Sequence, residues 1–192
     1  MKKILLIGFI AVAAIQWMVP LRMIGKNENI LRHGRLVKFK TAPIDPANPL
    51  LGRYILLNFK EQSVKTDTSF NWEPGQPVFA VLKTDQEGFA HITKLESTKP
   101  ADTTLFVKAS VYYAGRDSIW QSVMLNFPFT RFYMDEYNAP TAANIYAERI
   151  PAEQQNKSYA LINLLDGDAV IRDVMVNDTS IATLIGKRNA SR

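Results

Sequence analysis

The chain has 192 residues, 47% hydrophobic and 21% charged, which suffices for one medium domain or two small ones and is too apolar for a disordered chain. It holds no cysteine and two histidines, which excludes disulfide scaffolds, thiol nucleophiles, cysteine-ligated zinc, iron–sulfur clusters and a lipidated N-terminal cysteine. The formal charge of +5 is unevenly placed: residues 1–40 carry eight cations and one acid, so residues 41–192 carry 15 cations and 17 acids and lack the basic footprint a nucleic-acid partner requires.

Ile4 to Leu21 is an 18-residue apolar run interrupted only by Gln16 and Pro20. Continued to Ile24 as a helix it measures about 30 Å, enough to span a bilayer and bind membrane lipid. A cleaved signal peptide competes, with Met1-Lys2-Lys3 as basic start and Ala11 to Ala14 as small residues. A cut there leaves an apolar core of about seven residues, at the short end of the range, and a greasy new start at Ile15. An uncleaved single-pass anchor is therefore expected, with Trp17 as an interfacial aromatic and Arg22 reaching the headgroups. Cations flank both ends of the span, and charge counting alone favours the body staying inside, a bias that long translocated domains often disregard. The short basic start followed at once by an apolar run is how exported chains begin. It places the anchor in the inner (cytoplasmic) membrane and the body outside the cytoplasm. The remaining basic arm suits anionic headgroups.

Met23, Ile24, Ile30 and Leu31 keep a loose helical spacing, so the helix should continue as a stalk to His33, with Gly34 in a left-handed cap. His33 then serves as a cationic partner of the helix end. Thr41 to Leu50, with prolines at 43, 46 and 49, reads as a stiff, non-helical connector. The organisation expected is anchor and stalk over 1–34, Pro-rich connector over 35–51, and an extracytoplasmic domain over 52–192.

The body reads as mainly β and antiparallel, because short β-favouring runs alternate with turn residues. Strands are expected at 35–41, 53–59, 77–84, 88–96, 104–113, 118–127, 131–134, 158–165 and 169–176. Hairpin turns are expected at Asp85–Gly88, Ala114–Asp117 and Asp166-Gly167. One short helix is expected over 139–148, with Asn138 as cap. Arg53-Tyr54-x4-Phe59 is similar to Arg131-Phe132-x4-Tyr137, and the segment 78–85 with its following strand to 159–166 with its own. Two similar β units packed together would produce this pattern.

The segment Asp45-Pro46-Ala-Asn-Pro-Leu-Leu-Gly52-Arg53-Tyr54-Ile-Leu-Leu57-Asn-Phe59 resembles the signature of the GDYXXLXY family of membrane-anchored bacterial proteins. Gly52, Tyr54 and Leu57 match the pattern, Arg53 stands where the family has Asp, and Phe59 replaces Tyr. A second similar stretch contains Arg131, Phe132, Asp135 and Glu136. The resemblance implies one N-terminal transmembrane helix, a non-cytoplasmic domain, no assigned activity, and a polytopic membrane protein as candidate partner. Alternation along 53–59 puts Arg53, Ile55, Leu57 and Phe59 on one face and Tyr54, Leu56 and Asn58 on the other, which suggests a central or covered strand. Arg53 could pair with Asp135 or Glu136 if the two similar strands are neighbours.

Catalytic chemistry finds little support. His91, on an alternating strand, reads as a hydrogen-bonded or solvent-facing imidazole, and Ser63 with Lys65 or Ser97 with Lys99 as polar loop composition. Asp135, Glu136 and Glu148 could supply a carboxylate pair, yet adjacent Asp135 and Glu136 face opposite sides of a strand. Asp166-Gly167-Asp168 resembles a hairpin tip more than a calcium loop, and no phosphate-cradling glycine loop occurs. No cofactor or metal is therefore expected. The reading is an interaction or accessory module; the alternatives are an envelope hydrolase using carboxylates and a small ligand-carrying barrel, told apart by pocket and core.

Overall fold

The computed structural model describes residues 2–42, 54–67, 71–116, 120–135, 137–138, 141–142, 145 and 158–190, except the side chains at 2, 4, 5, 7, 10, 11 and 116. Helix α1 spans Lys2–His33. The strands are β1 Arg35–Ala42, β2 Tyr54–Leu56, β3 Asn58–Phe59, β4 Ser63–Asp67, β5 Pro77–Thr84 and β6 Ala90–Glu96, followed by β7 Phe106–Arg116, β8 Trp120–Asn126, β9 Arg131–Tyr133, β10 Ser158–Leu165, β11 Asp168–Val176 and β12 Thr179–Ser180. Helix α2, Ile181–Ala190, closes the described chain. Among the described residues, which leave out the α1 side chains at 4, 5, 7, 10 and 11, no helix is long and apolar enough to cross a membrane.

The strands form two five-stranded antiparallel sheets, β12-β11-β10-β1-β3 and β4-β8-β7-β5-β6, and a two-stranded sheet, β2-β9. Each large sheet is built around a hairpin, β10–β11 or β5–β6. The first strand of the hairpin is paired on its far side by β1 or β7 respectively. These hairpins are the two segments whose sequences are similar. The other similar pair, β2 and β9, lies side by side, with Tyr54 opposite Tyr133 and Leu56 opposite Arg131.

Local chemistry accounts for the turns. Asp166 and Gly167 both take positive φ, 52° and 77°, as a two-residue type I′ hairpin requires. A Cβ on Gly167 would also collide with the Phe106 ring, so the tip needs glycine twice over. Between β5 and β6, the Asp85 carboxylate accepts from the Phe89 and Glu87 amides at 2.8 and 3.0 Å. The Phe89 amide foremost, with the His91 ring and then the Glu87 amide, holds this carboxyl below its ordinary value against the opposing effect of burial.

One core takes side chains from both large sheets: Val37 and Phe39 of β1, Ile162 and Leu164 of β10, Val78 and Ala80 of β5, Val107 and Val111 of β7, and Val123 and Leu125 of β8. Phe39, fully buried, meets Phe59, Phe127 and Phe129 edge-on at 5.8, 6.0 and 5.7 Å between ring centroids. β1 points Val37, Phe39 and Thr41 inward, and the Thr41 hydroxyl is satisfied by Ser158 Oγ at 2.6 Å. Lys38 and Lys40, on the outer face, lie over the Phe89 ring.

Several expectations are corrected. The strand expected over 53–59 is not a continuous central strand: it breaks at Leu57, β2 pairing with β9 and β3 with β1. β7 runs on to Arg116 through residues expected to turn, with a bulge between Val111 and Tyr113. Gly34 is not the left-handed cap, since the left-handed glycines among the described residues are Gly75, Gly88 and Gly167. Its role is close approach, because a Cβ there would run into the Ile30 carbonyl. β4, β12 and α2 were not expected. Of the helix expected over 139–148, Thr141, Ala142 and Ile145 are described and helical. The prolines at 43, 46 and 49 lie outside the described residues.

Truncating Phe39 to Ala should cost about 3–5 kcal/mol through the cavity left among three rings. Truncating the exposed Tyr112 should stay within about 0.5 kcal/mol. Denaturant unfolding of the two variants checks the contrast.

Candidate functional site

The signature residues divide into an inner and an outer set. Leu57 and Phe59 are buried, Phe59 facing Phe127 and Phe129 at 6.1 and 5.5 Å, and the Leu57 amide donates to the Thr130 carbonyl at 2.7 Å. These residues stitch one sheet to another. Tyr54 faces outward, its ring 5.4 Å from that of Tyr133, with the Arg131 guanidinium 5.2 Å from the Tyr54 centroid. Phe132, on the inner side of β9, packs against the core. Outward on the same pair, Tyr133 is 65% exposed, and Tyr137 just beyond is 85% exposed. The site is therefore a short ladder of tyrosines and one arginine on a strand pair whose other face is anchored in the core.

Asp135 Oδ1 accepts from the Tyr137 amide at 2.9 Å, so this carboxylate shapes the turn after β9. Asp45, Pro46, Gly52, Arg53, Glu136 and Glu148 lie outside the described residues, and with them both the pairing of Arg53 and the second carboxylate of a hydrolytic pair.

His91 sits between two carboxylates, Nδ1 at 3.1 Å from Glu61 Oε1 and Nε2 at 3.3 Å from Asp85 Oδ2. Glu61 Oε2 also accepts from the Ile92 amide at 3.2 Å. With both ring nitrogens committed to carboxylates, His91 fastens the 3-10 turn Lys60–Gln62 to β6, and neither nitrogen is left to activate a hydroxyl. Among the described residues no group of three or more histidines, aspartates and glutamates could hold a metal ion.

A feature not anticipated from the sequence is the junction of α1 with the body. Ile30, 2% exposed, inserts into the body, and the Gly34 amide donates to its carbonyl at 2.8 Å. Buried Asn163, from β10, shares its Nδ2 hydrogens among the carbonyls of Ile30, Leu31 and Gly34 at 3.4, 3.1 and 3.3 Å. A side chain from a strand thus supplies a donor to the Leu31 and Gly34 carbonyls at the helix end and a second one to that of Ile30. One turn earlier, Lys26 pairs with Asp168 at 2.9 Å, and Lys108 of β7 joins the same carboxylate at 3.1 Å. Burial pushes the Asp168 carboxyl up, but the two ammonium groups together outweigh it and hold it below the usual range. His33, expected to act on the helix end, meets Asn29 Oδ1 at 2.9 Å.

The model of the GDYXXLXY protein family matches residues 16–174, and the chain belongs to that family. No curated protein and no solved structure matches the chain significantly.

Replacing Asn163 with Leu should remove the cap and cost about 1–3 kcal/mol, because the half-buried Leu31 and Gly34 carbonyls lose their side-chain donor while that of Ile30 keeps the Gly34 amide. Hydrogen exchange should rise at the end of α1 and leave β5 and β7 protected. The Asp168 carboxyl, depressed when folded, contributes fully above about pH 4 and ceases to do so as pH falls through its lower folded value. Protection at the end of α1, corrected for the intrinsic exchange rate, should therefore fall on acidification below about pH 4 in the native chain, and Asp168→Asn should abolish that specific acid step.

Proposed function

We propose that this member of the GDYXXLXY family is anchored in the inner membrane by α1, holds its β body outside the cytoplasm, and serves as an interaction or accessory module for another, polytopic membrane protein. The observation that carries this reading is the continuity of α1 into the sheet. The helix ends at His33, β1 begins at Arg35, and Asn163 fixes the turn between them. A body fastened in this way has a set attitude toward whatever α1 is embedded in.

Support for the anchor comes from the 18-residue apolar run and from its exposure. Ten large apolar side chains from Leu6 to Ile24 are 53–71% exposed, and those from Ile15 to Leu21 point to every side of the helix. Such a helix is at home in lipid or in a protein interior. Pro20, inside α1, leaves the Gln16 carbonyl without its amide partner, a feature more tolerated in spanning helices than in soluble ones.

Support for the interaction role comes from aromatic residues left outside a filled core. Tyr112, Tyr113, Trp120 and Met124 are exposed on β7 and β8, Tyr113 directly opposite Met124. Tyr133 and Tyr137 are exposed beside Arg131. Tyr, Trp and Arg are the side chains that concentrate binding energy at protein interfaces. The ligand-carrying barrel is disfavoured because Phe39, Phe59, Phe127 and Phe129 fill the space between the sheets.

A reporter fused after Arg192 should be active only outside the cytoplasm, and the chain should resist carbonate extraction. A photocrosslinker at position 120 should capture a polytopic membrane protein, and one at the exposed position 94 should not. A cytoplasmic signal or release by carbonate would overturn the location; equal capture at the two positions would overturn the surface.

A further inference from the structure

Beside the α1 junction lies a half-open groove of about 390 Å³, with Lys99, Asp102 and Asp166 among its lining residues. Its floor is apolar, formed by Leu105, Phe106, Leu164 and Leu165. Its rim is charged: Lys99 reaches Asp166 at 2.7 Å and Asp102 at 3.3 Å. Hydrogen bonding to Asp166 and then to Asp102 holds the Lys99 ammonium above its ordinary pKa, and the bond from Lys99 holds Asp166 below its own. With the adjoining Lys26, Lys108 and Asp168, three lysines face three aspartates, and the site is neutral overall.

We infer that this groove receives the headgroup of a zwitterionic phospholipid bearing a primary amine, an inference that rests on the membrane-anchored reading above. Depth is the first argument. Lys26, which touches the β10–β11 hairpin beside its tip through Asp168, stands about 3 Å along the helix from Ile24 and about 8 Å from Leu21. The headgroup layer on each side of a bilayer is about 5–7 Å thick. The hairpin tip, Asp166-Gly167, and the rim residues beside it therefore lie at headgroup level when α1 spans the bilayer.

Charge is the second argument. A purely anionic headgroup would meet Asp102 and Asp166, and a purely cationic one would meet Lys99. A headgroup with a phosphate and an ammonium can exchange with the existing pairs: its amine takes the two carboxylates, and Lys99 turns to the phosphate. Two ion pairs in the groove become three, and no charge is left alone there. Lys99, Asp102 and Asp166 have side chains 45%, 90% and 59% exposed, so the exchange needs no opening of the core. The apolar floor suits the glycerol end of the lipid. A quaternary ammonium has no N–H to give the carboxylates, so the amine lipid is preferred to its choline counterpart.

The test uses the full chain, delipidated in detergent micelles, with native mass spectrometry reading bound phosphatidylethanolamine, phosphatidylcholine or phosphatidylglycerol of equal chain length. Phosphatidylethanolamine should be retained about tenfold more tightly than the other two, and Asp166→Asn should erase the difference. Asn tolerates the positive φ of this turn, so the hairpin persists while the charge goes. Asp102→Asn, in an exposed turn, should act in the same direction. Equal retention of amine and choline lipids, preference for the anionic lipid, or unchanged selectivity in both variants would each overturn the groove assignment. Carbonate extraction reports on the anchor separately: a chain that resists extraction but lacks lipid selectivity retains the anchor and loses the headgroup site.

Discussion

Everything in this molecule is referred to one short contact, the burial of the end of α1 against β10. A single residue, Gly34, separates the last helical residue from the first strand residue, and Arg35 is already paired with Leu164. The chain has no slack there. A helix end buried without partners for its carbonyls would cost about 1–3 kcal/mol for each unsatisfied group. Asn163 prevents that cost, and the absent Cβ of Gly34 allows the approach. The Lys26–Asp168–Lys108 cluster repeats the connection one turn closer to the N-terminus and draws β7, from the other large sheet, into it. Helix, hairpin and second sheet are thus tied together at one point.

The signature strand makes a comparable link on the body side. By passing from the two-stranded sheet to the first large sheet within six residues, it lets Leu57 and Phe59 fill the core between them while Tyr54 stays outside. The signature is in this chain chiefly a device for holding layers together, with one face left for recognition. That arrangement accommodates Phe59 in place of Tyr, because the position lies among phenyl rings. It also concentrates functional interest on Tyr54, Arg131 and Tyr133, which have little to do with the core.

How much of this was legible depended on whether the determining contacts were local. β5 and β10 fall where the sequence places them, since turn residues bound both and their apolar runs have strand length. The Asp166-Gly167 turn was equally plain, because positive φ at two adjacent residues demands that chemistry. The break at Leu57 was not legible, since a strand that changes sheets keeps the same alternation as one that does not. β4 is short, polar and half-exposed, and its pattern is no different from a loop. α2 could have been found: Ile181, Leu184 and Ile185 have helical spacing, the Ser180 hydroxyl accepts from the Ala182 amide, and Lys187 and Arg188 occupy the last turn. Asn163 stands out in an apolar strand, yet its partners are more than a hundred residues away in sequence. The carboxylates on His91 illustrate the same limit, one of them coming from a turn 30 residues upstream.

The claim that α1 and the body form one rigid unit is tested most directly by a distance. The chain has no cysteine, so Asn27→Cys on α1 and Lys65→Cys on β4 give two unique spin-label sites, both exposed. Pulsed electron resonance on the full chain in lipid nanodiscs then reports their separation. A fixed junction gives one narrow distribution that is the same in nanodiscs and in detergent micelles. A broad or multimodal distribution, or one that shifts between the two media, would contradict it.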